Sequence, residues 1–402
     1  MIFEYPDYYE KFHCIGGKCK DSCCAGWEVD IDDDSARMYQ NVPLPIGEKL
    51  REKLKLVDGG YRFQLCSDKR CPFLNKDNLC DIIIAMGEGG LSVTCTEYPR
   101  YTCETPDYHE TDLTLSCPEA ARIFFSTEEP IRYERRAEEF HDTDWEEDPF
   151  EDDSFDEEGS AEDDFWDDIE DDEEEDAFEK EEDSDSEEEV DPEVARANRE
   201  KLERILDLRD AAMEMIQNRK IPLEERILNM EELFPEEEQI SDQELLSYLD
   251  QMEVVNPDWL RRKADIEAHL DQIQEEVLAD RVGGGLHFQN QMERFLTYLL
   301  FRYTIDIYYK DNPRRVLRFT RRAKRVLELL IAQWCYEHET HVIPVGDLED
   351  CARIFSRQVE HSEENVDLLL AVNSRYDRAH RRWELRIMCI RSHSRCHRNA
   401  SS

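Results

Sequence analysis

The sequence lacks the segments that would direct it into a membrane or an export pathway. Its first seven residues contain neither a basic stretch nor an apolar stretch, so no secretory signal is visible. Its longest apolar runs, such as residues 82–86, are far too short to span a bilayer. We therefore expect a cytoplasmic protein without membrane contacts.

Glycine is scarce, with 14 among 402 residues, and its distribution excludes a common cofactor-binding fold. No glycine-rich strand–turn–helix motif of a Rossmann domain is present, because residues 283–285 precede a helical pattern but follow no strand. We interpret these three glycines as a hinge. The paired C-x-x-C knuckles of zinc fingers are also absent.

Cysteine, in contrast, is concentrated near the N-terminus. Ten of the 14 cysteines lie in the first 117 residues. Disulfides would require an oxidising compartment, whereas dense thiols in a chain without export features usually bind a metal. Thiolate sulfur selects zinc, cuprous copper or iron–sulfur clusters. The metal ligands that we predict are Cys14, Cys19, Cys23, Cys24, Cys71, Cys80, Cys95 and Cys117.

Glycine and turn residues accompany these cysteines. Gly16 and Gly17 permit a tight backbone around a metal, since glycine tolerates positive φ. Residues 75–78 form a turn signal, so Cys71 and Cys80 can approach each other across a loop. The pattern leaves open which cysteines share one metal centre.

The net charge of −48 is unevenly distributed. Residues 138–191 contain 34 acidic residues and one basic residue, Lys180. Such a block of like charge repels itself and offers too little apolar surface to fold. We predict a disordered insert over residues 137–192 that serves as a solvated linker. Its interleaved aromatic residues allow the alternative of a docking segment for a basic partner.

After the insert, apolar residues recur at helical spacing. This pattern predicts helices over residues 194–219, 223–233, 258–278, 288–309, 314–338 and 348–361, and a capping box at Ser241 and Glu244. Before the insert, only residues 80–86 and 118–125 show a helical pattern. We predict a mainly α protein with an irregular Cys-rich metal-binding domain (1–136), a helical domain (193–375) and a basic, disordered tail (376–402).

The cysteine motifs resemble those of the flagellin lysine-N-methylase family. The stretch FHCIGGKCKDSCCAGW at 12–27 resembles that family's opening, as do CPFL at 71–74, CTEYPR at 95–100 and SCPEAA at 116–121. Residues 290–303 and 357–365 resemble its C-terminal helical part. The cysteines also resemble the broader zinc- or iron-chelating CxxCxxCC domains.

The resemblance implies a protein-lysine N-methyltransferase that modifies flagellin with S-adenosylmethionine and an iron–sulfur cluster, with zinc as the alternative metal. The C-x3-C-x2-C signature of radical enzymes is absent, because Cys24 follows Cys23 directly. A cluster with one open iron position could bind the amino and carboxylate groups of the cofactor and orient its methyl group. The alternative function is a non-catalytic zinc- or iron-chelating interaction module.

Methyl transfer to lysine places two demands on the residues beside the metal. The attacking amine must be neutral, so a carboxylate, a tyrosine or a desolvated pocket must remove its proton. The sulfonium is cationic, and aromatic faces and carboxylates stabilise it. The catalytic candidates next to the cysteines are Glu97, Tyr98 and Glu119, with Tyr101 nearby. Matches to the family pattern in the helical domain are Glu360, His361 and Asn365.

Two basic or metal-capable features remain. Seven Arg and Lys residues fall within residues 314–325 on one predicted helix. In so acidic a protein, we expect them to pair with acidic groups of the chain itself, and a nucleic-acid-associated regulator that uses this helix is the weaker alternative. The tail contains Cys389, His393, Cys396 and His397, which we assign to a frayed terminus rather than a second metal site.

Overall fold

The computed structural model describes residues 1–25, 29–43, 45–57, 59–137, 191–234, 240–278 and 286–370. The described residues up to 137 and from 200 onward form one compact unit, whereas residues 191–199 belong to a second unit. Residues 138–190 of the acidic insert, the glycines at 283–285 and the basic tail lie outside the described residues. What the sequence predicts for those segments therefore stays a prediction.

Helices dominate the described residues, which confirms the predicted mainly α class. The helices are α1 Asp33–Asn41, α2 Ile46–Lys53, α3 Asp81–Met86, α4 Val93–Glu97, α5 Pro118–Phe125, α6 Pro192–Ile216, α7 Leu223–Asn229, α8 Asp242–Leu249, α9 Pro257–Ala268, α10 Leu270–Leu278, α11 Leu286–Thr304, α12 Asp306–Lys310, α13 Arg314–Glu337, α14 Val345–Val359 and α15 Glu363–Leu370. The strands are β1 Ile2–Pro6, β2 Asp30–Ile31, β3 Leu54–Val57, β4 Gly60–Phe63, β5 Arg100–Thr105, β6 Tyr108–Leu113 and β7 Tyr133–Ala137.

Most helix boundaries agree with the apolar periodicity. The capping box forms as predicted: Ser241 accepts from the backbone amide of Glu244, whose side chain accepts in return from Ser241. The helix predicted over 258–278 is wrong in one respect, because it divides at His269, where φ is −127° and ψ is 27°. The helix predicted over 288–309 also divides, at Ile305, into α11 and α12.

The sequence pattern does not predict the two small sheets in the Cys-rich part. One sheet has the strand order β5-β6-β1-β7, with β1 parallel to β6 and the other pairs antiparallel. The buried face of β6 carries Tyr108, Glu110 and Asp112. The alternation along β6 therefore places acidic rather than apolar residues on its buried face. The strand thus lacks the apolar–polar alternation from which strands are usually predicted. Their charge is opposed by Arg209 of α6, which is fully buried against Glu110.

The second sheet, with order β2-β4-β3, contributes to a small hydrophobic core of its own. Tyr39 of α1 stacks on Phe63 with ring centroids 5.6 Å apart, and Phe63 contacts Phe73 at 4.7 Å. Large aromatic side chains supply much of the apolar area available to so small a core. This set of residues, which we call the small core, positions the cysteine segments at 66–95.

The main core is built by the helical part together with the four-stranded sheet and α5. Helix α13 lies at its centre and packs against α9, α10, α11, α14 and α15. Phe124 of α5 contacts Tyr298 of α11 edge to face, with ring centroids 5.9 Å apart. The Cys-rich part and the helical part are therefore joined through shared apolar packing. None of the helices described combines the length and the apolar character needed to cross a membrane.

Candidate metal centre

The first four cysteines lie on a loop between the short helical turn Tyr9–Lys11 and strand β2. Gly16 adopts a φ of +53°, which glycine tolerates without strain, and its amide donates to Cys14 Sγ at 3.4 Å. The Cys19 thiol donates to the carbonyl oxygen of Asp21 at 2.9 Å. The loop, residues 14–25, thus turns around its own sulfur atoms. We call it the cysteine loop.

Four cysteines share the small core: Cys71 is part of it, and Cys24, Cys80 and Cys95 pack against it. The Cys71 amide donates to the carbonyl oxygen of Cys24 at 2.7 Å, and Leu74 forms a β-bridge with Cys80 across the predicted turn. Burial, and then repulsion from the neighbouring thiolates of this set, raises the pKa of Cys71 to about 12 and that of Cys95 to about 11. We call these four the small-core thiols.

A second set of thiols lies against the main core. Cys117 is part of that core, and burial raises its pKa to about 11, with a further contribution from Cys19 and Cys14. Cys19 interacts in turn with Cys14. We call Cys14, Cys19 and Cys117 the main-core thiols. Cys23 connects the two sets, since it hydrogen-bonds to Cys24 and also interacts with Cys14 and Cys95.

Two of the thiols lie at helix N-termini. Cys80 immediately precedes α3 and Cys117 immediately precedes α5. Burial raises the pKa of each thiol, but each also accepts hydrogen bonds from the first backbone amides of its helix, which lower the pKa. The positive end of a helix favours the thiolate, which is the form that binds metals.

The donor set suits a soft metal, although the thiols do not form a closed cage. Within the described ranges, no group of three or more His, Cys, Asp or Glu side chains forms an arrangement that could hold a metal ion. The small-core and main-core cysteines are nevertheless free thiols rather than disulfides, and thiolates suit zinc or iron–sulfur clusters. Binding would require the thiols of a set to draw closer together.

Helix α14 holds the cysteine loop from the helical side. Arg353 and Arg357 both donate to the Asp21 carboxylate, at 2.9 Å for Arg357, and Arg357 also donates to the carbonyl oxygen of Ala25. Side chains four residues apart project from one face of a helix, which is the signal that could have identified this pair. Sequence analysis did not single out Asp21 or Arg353. The segment that contains Cys23 and Cys24 is therefore fixed to α14.

A second contact between the Cys-rich part and the helical part is a line of hydroxyl and imidazole groups. Ser116, next to Cys117, lies 3.1 Å from the Tyr98 hydroxyl and 2.7 Å from His361 Nε2. Burial and the charges of two arginines lower the pKa of His361 to about 3, so the imidazole is neutral at physiological pH. Burial also raises the pKa of Tyr98. The line is uncharged and lies beside the main-core thiols.

The other sequence candidates have different surroundings. Glu97 is the last residue of α4 and is half-buried. Glu119 pairs with Arg122 at 2.6 Å, which lowers its pKa. The Glu360 carboxylate accepts from the hydroxyl of Tyr298 at 2.9 Å, and Asn365 donates to the backbone of residues 253 and 358. Glu360 and Asn365 therefore make contacts inside the helical part.

The basic helix α13 directs its cations at groups of the chain itself, as predicted. Arg318 and Arg322 donate to the backbone carbonyl oxygens of residues 370 and 369, at 3.1 and 2.9 Å. Arg321 pairs with Glu231 at 2.6 Å, and Arg325 pairs with Asp242 at 2.7 Å. Charges satisfied in this way are poor candidates for a nucleic-acid surface.

Two clefts lie away from the cysteines. One, of about 750 Å³, is lined by Glu4, Tyr133 and Asp210 among others. The other, of about 570 Å³, includes Glu128, His287 and Asn290. No cysteine lines either cleft.

Comparison with curated proteins finds relatives that each match about 120 residues of the chain. The chain is 29% identical over 120 residues to the lysine-N-methylases of Salmonella typhimurium and Salmonella choleraesuis. It is 28% identical over 120 residues to the flagellar biosynthetic protein FliU of Salmonella muenchen. Over this segment the chain is similar to proteins named lysine-N-methylase.

The relationship covers only part of each chain. The matched segment is 28% of this chain and spans 30% of the two lysine-N-methylases, against 71% of the FliU protein. No protein-family profile matches the chain, and no solved structure matches it. The activity of the lysine-N-methylase family is therefore carried to this chain only as a proposal.

Proposed function

We propose that the chain is a protein-lysine N-methyltransferase that uses S-adenosylmethionine and an iron–sulfur cluster, with flagellin as its substrate. The observation that carries the proposal is the convergence of the family-like cysteine motifs at one junction. At this junction the cysteine loop contacts α14, and the segment before α5 contacts His361, which lies two residues beyond the end of α14. The names of the relatives support methylation of lysine, and the FliU name supports a flagellar substrate.

In this proposal the thiols are the metal ligands, and the neighbouring side chains surround the bound S-adenosylmethionine. When bound, an iron–sulfur cluster with one open iron position would anchor the amino and carboxylate groups of S-adenosylmethionine. Tyr98 and the neutral His361 would form an uncharged wall that does not repel a sulfonium, and the Tyr98 ring would offer it a π-face. Zinc remains the alternative metal for the same thiols.

The substrate amine must lose its proton before it attacks the methyl group. Glu119 is a weak base because Arg122 binds both of its oxygens, at 2.8 and 2.6 Å. Glu97 is the other carboxylate next to the cysteines and is half-buried. We therefore assign proton acceptance to Glu97.

The test is to incubate anaerobically purified, metal-loaded protein with S-adenosylmethionine and flagellin of the source organism, and to measure intact flagellin mass. We expect increments of one methyl group, which should be lost in Cys23→Ala and strongly reduced in Glu97→Gln. Tyr98→Phe keeps the aromatic face and should retain most activity, whereas Tyr98→Leu should not. Equal activity of Tyr98→Phe and Tyr98→Leu would show that the aromatic ring of Tyr98 does not contribute to activity.

The alternative is a non-catalytic metal-chelating module. An unchanged flagellin mass under oxidised and reduced conditions, with metal bound and flagellin folded, would favour it. Colourless protein with stoichiometric zinc and no acid-labile sulfide would exclude the iron–sulfur part of the proposal. Comparable amounts of iron and sulfide in brown protein would support it.

A further inference from the structure

The cleft of about 570 Å³ lies where α5 ends and α11 begins. Its lining includes Glu128 and Glu129 of the segment after α5, and His287, Asn290 and Gln291 of α11. The three α11 residues share one face of the helix, because they are three and four positions apart. Helix α5 has eight residues and is about 12 Å long, so the cleft is separate from the thiol at the other end of α5. We call it the Glu128 cleft.

Two buried amide side chains of this cleft have acceptor atoms without partners. Asn290 is 5% exposed and Gln291 is 1% exposed. Asn290 Nδ2 donates to Glu128 at 2.9 Å, and Gln291 Nε2 donates to the carbonyl oxygens of residues 125 and 127, each at 3.2 Å. These bonds fix both amides, because a rotated amide would place its oxygen against another acceptor. Among the residues that the structure describes, Asn290 Oδ1 and Gln291 Oε1 have no hydrogen-bond partner. Buried acceptors are normally paired, so both atoms favour a donor-bearing group in the cleft.

The charged groups of the cleft add further acceptors. Hydrogen bonds from Asn290 and His287 lower the pKa of Glu128 and so keep its carboxylate ionised. A carboxylate only accepts, so His287 donates through Nδ1, and a neutral ring then keeps Nε2 as an acceptor. Glu129 is an exposed second carboxylate. The guanidinium of Arg219 also lines the cleft, but it donates to a buried carboxylate of α11 at 2.9 Å. The donors are thus used within the chain, whereas several acceptors are not.

We propose that the Glu128 cleft binds an organic cation with several N–H donors, of the ammonium type found in polyamines and lysine side chains. An ammonium group has three donors and no acceptor, which complements a cleft with an excess of acceptors. Its hydrogen bonds to a carboxylate are charge-assisted and therefore stronger than bonds between neutral groups. The volume of the cleft lies within the range of small-molecule sites, about 300–1,000 Å³. The inference does not depend on the proposed methyltransferase activity.

The test is isothermal titration calorimetry of the full chain with n-butylammonium chloride, with n-butanol as the uncharged control ligand. We expect saturable binding of the amine and no binding of the alcohol. Glu128→Gln keeps the size of the side chain but removes its charge, so the affinity should fall about tenfold or more. Asp210→Asn, a carboxylate of the other cleft, is the matched control and should bind the amine like the natural chain. Absence of saturable binding, or equal affinity of Glu128→Gln and the natural chain, would overturn the proposal.

A crystal structure of the natural chain with n-butylammonium provides a result that needs no variant. We expect the amine nitrogen within hydrogen-bond distance of Glu128, Asn290 Oδ1 or Gln291 Oε1. Water alone on these atoms at a saturating amine concentration would contradict the proposal.

Titrations with spermidine and with the peptide acetyl-Gly-Lys-Gly-amide distinguish a free polyamine from the side chain of a partner protein. Tighter binding of one probe supports the proposal and indicates that source. Failure of both probes to bind would overturn it.

Discussion

Replacing Arg209 by Met should be among the most destabilising single substitutions in the chain, because this arginine neutralises two buried carboxylates. Its guanidinium is fully buried and donates to Glu110 at 2.5 Å, to Glu4 at 2.6 Å and to the Tyr108 hydroxyl at 2.7 Å. It also lies 4.6 Å from the centre of the Phe301 ring. The cation therefore joins α6 to the inner face of the four-stranded sheet.

The expected magnitude follows from the burial of the partners. The side chains of Glu4 and Glu110 are 3% and 0% exposed, so removal of the cation leaves Glu110 in the core without a counter-ion and leaves Glu4 with Arg135 alone. Breaking a buried pair in this way costs about 3–5 kcal/mol. For a protein of this size we expect the melting temperature to fall by roughly 10 °C.

Arg135→Met is the matched control, since Arg135 contacts the same Glu4 at 2.9 Å but its side chain is 36% exposed. An exposed pair contributes at most about 1 kcal/mol. Urea unfolding followed by far-ultraviolet circular dichroism would compare the two variants. Combining Arg209→Met with Glu4→Gln and Glu110→Gln should restore part of the loss. Equal losses for Arg209→Met and Arg135→Met would refute the reasoning.

Two further predictions concern a buried acid and the cysteine loop. Burial raises the pKa of Asp112 to about 7, well above its unfolded value, so its contribution to stability is present at acidic pH and lost as pH rises through 7. At pH 8, Asp112→Asn should therefore have a free energy of unfolding above that of the natural chain, by about 4 kcal/mol at most, with little difference at pH 4, and parallel pH profiles would contradict this. Arg357→Ala should speed maleimide labelling of Cys23 and Cys24 several-fold, because the loop loses its contact at Ala25 and one of its two arginine partners at Asp21, whereas Arg261→Ala on the surface should not.

The helical part could be predicted from the sequence because its amphipathic periods are long and regular. Helix α13, for example, has an apolar face that is almost continuously buried from Val316 to Cys335. The break at His269 could not be predicted, since its ring Nδ1 donates to the carbonyl oxygen of Asp265 at 3.1 Å and no proline or glycine marks the position. The sheets escaped prediction because β6 buries acidic residues whose partner, Arg209, lies about a hundred positions away.

The candidate metal centre, too, could be predicted only in part from the sequence. Cysteine density predicts thiol ligands, and the turn at 75–78 indicates that Cys71 and Cys80 approach each other, in agreement with the bridge between Leu74 and Cys80. The division of the thiols between two cores depends on packing, and no spacing in the sequence records it. The contacts of Asp21 with α14 depend on side chains more than three hundred positions apart. Local patterns do not contain such pairs.

The junction at α14 explains why the cysteine motifs and the distant helical segment would be needed together. Arg357 fixes the backbone at Ala25, directly after the Cys23–Cys24 pair that connects the two thiol sets. His361, two residues beyond α14, binds Ser116 next to Cys117. Helix α14 and the turn after it therefore contact two segments that contain predicted ligands. One is the stretch from residue 19 to residue 24 with three of these ligands, and the other is the segment that carries Cys117. A change that displaced α14 would therefore move predicted ligands of both thiol sets, although none of the predicted ligands lies on that helix.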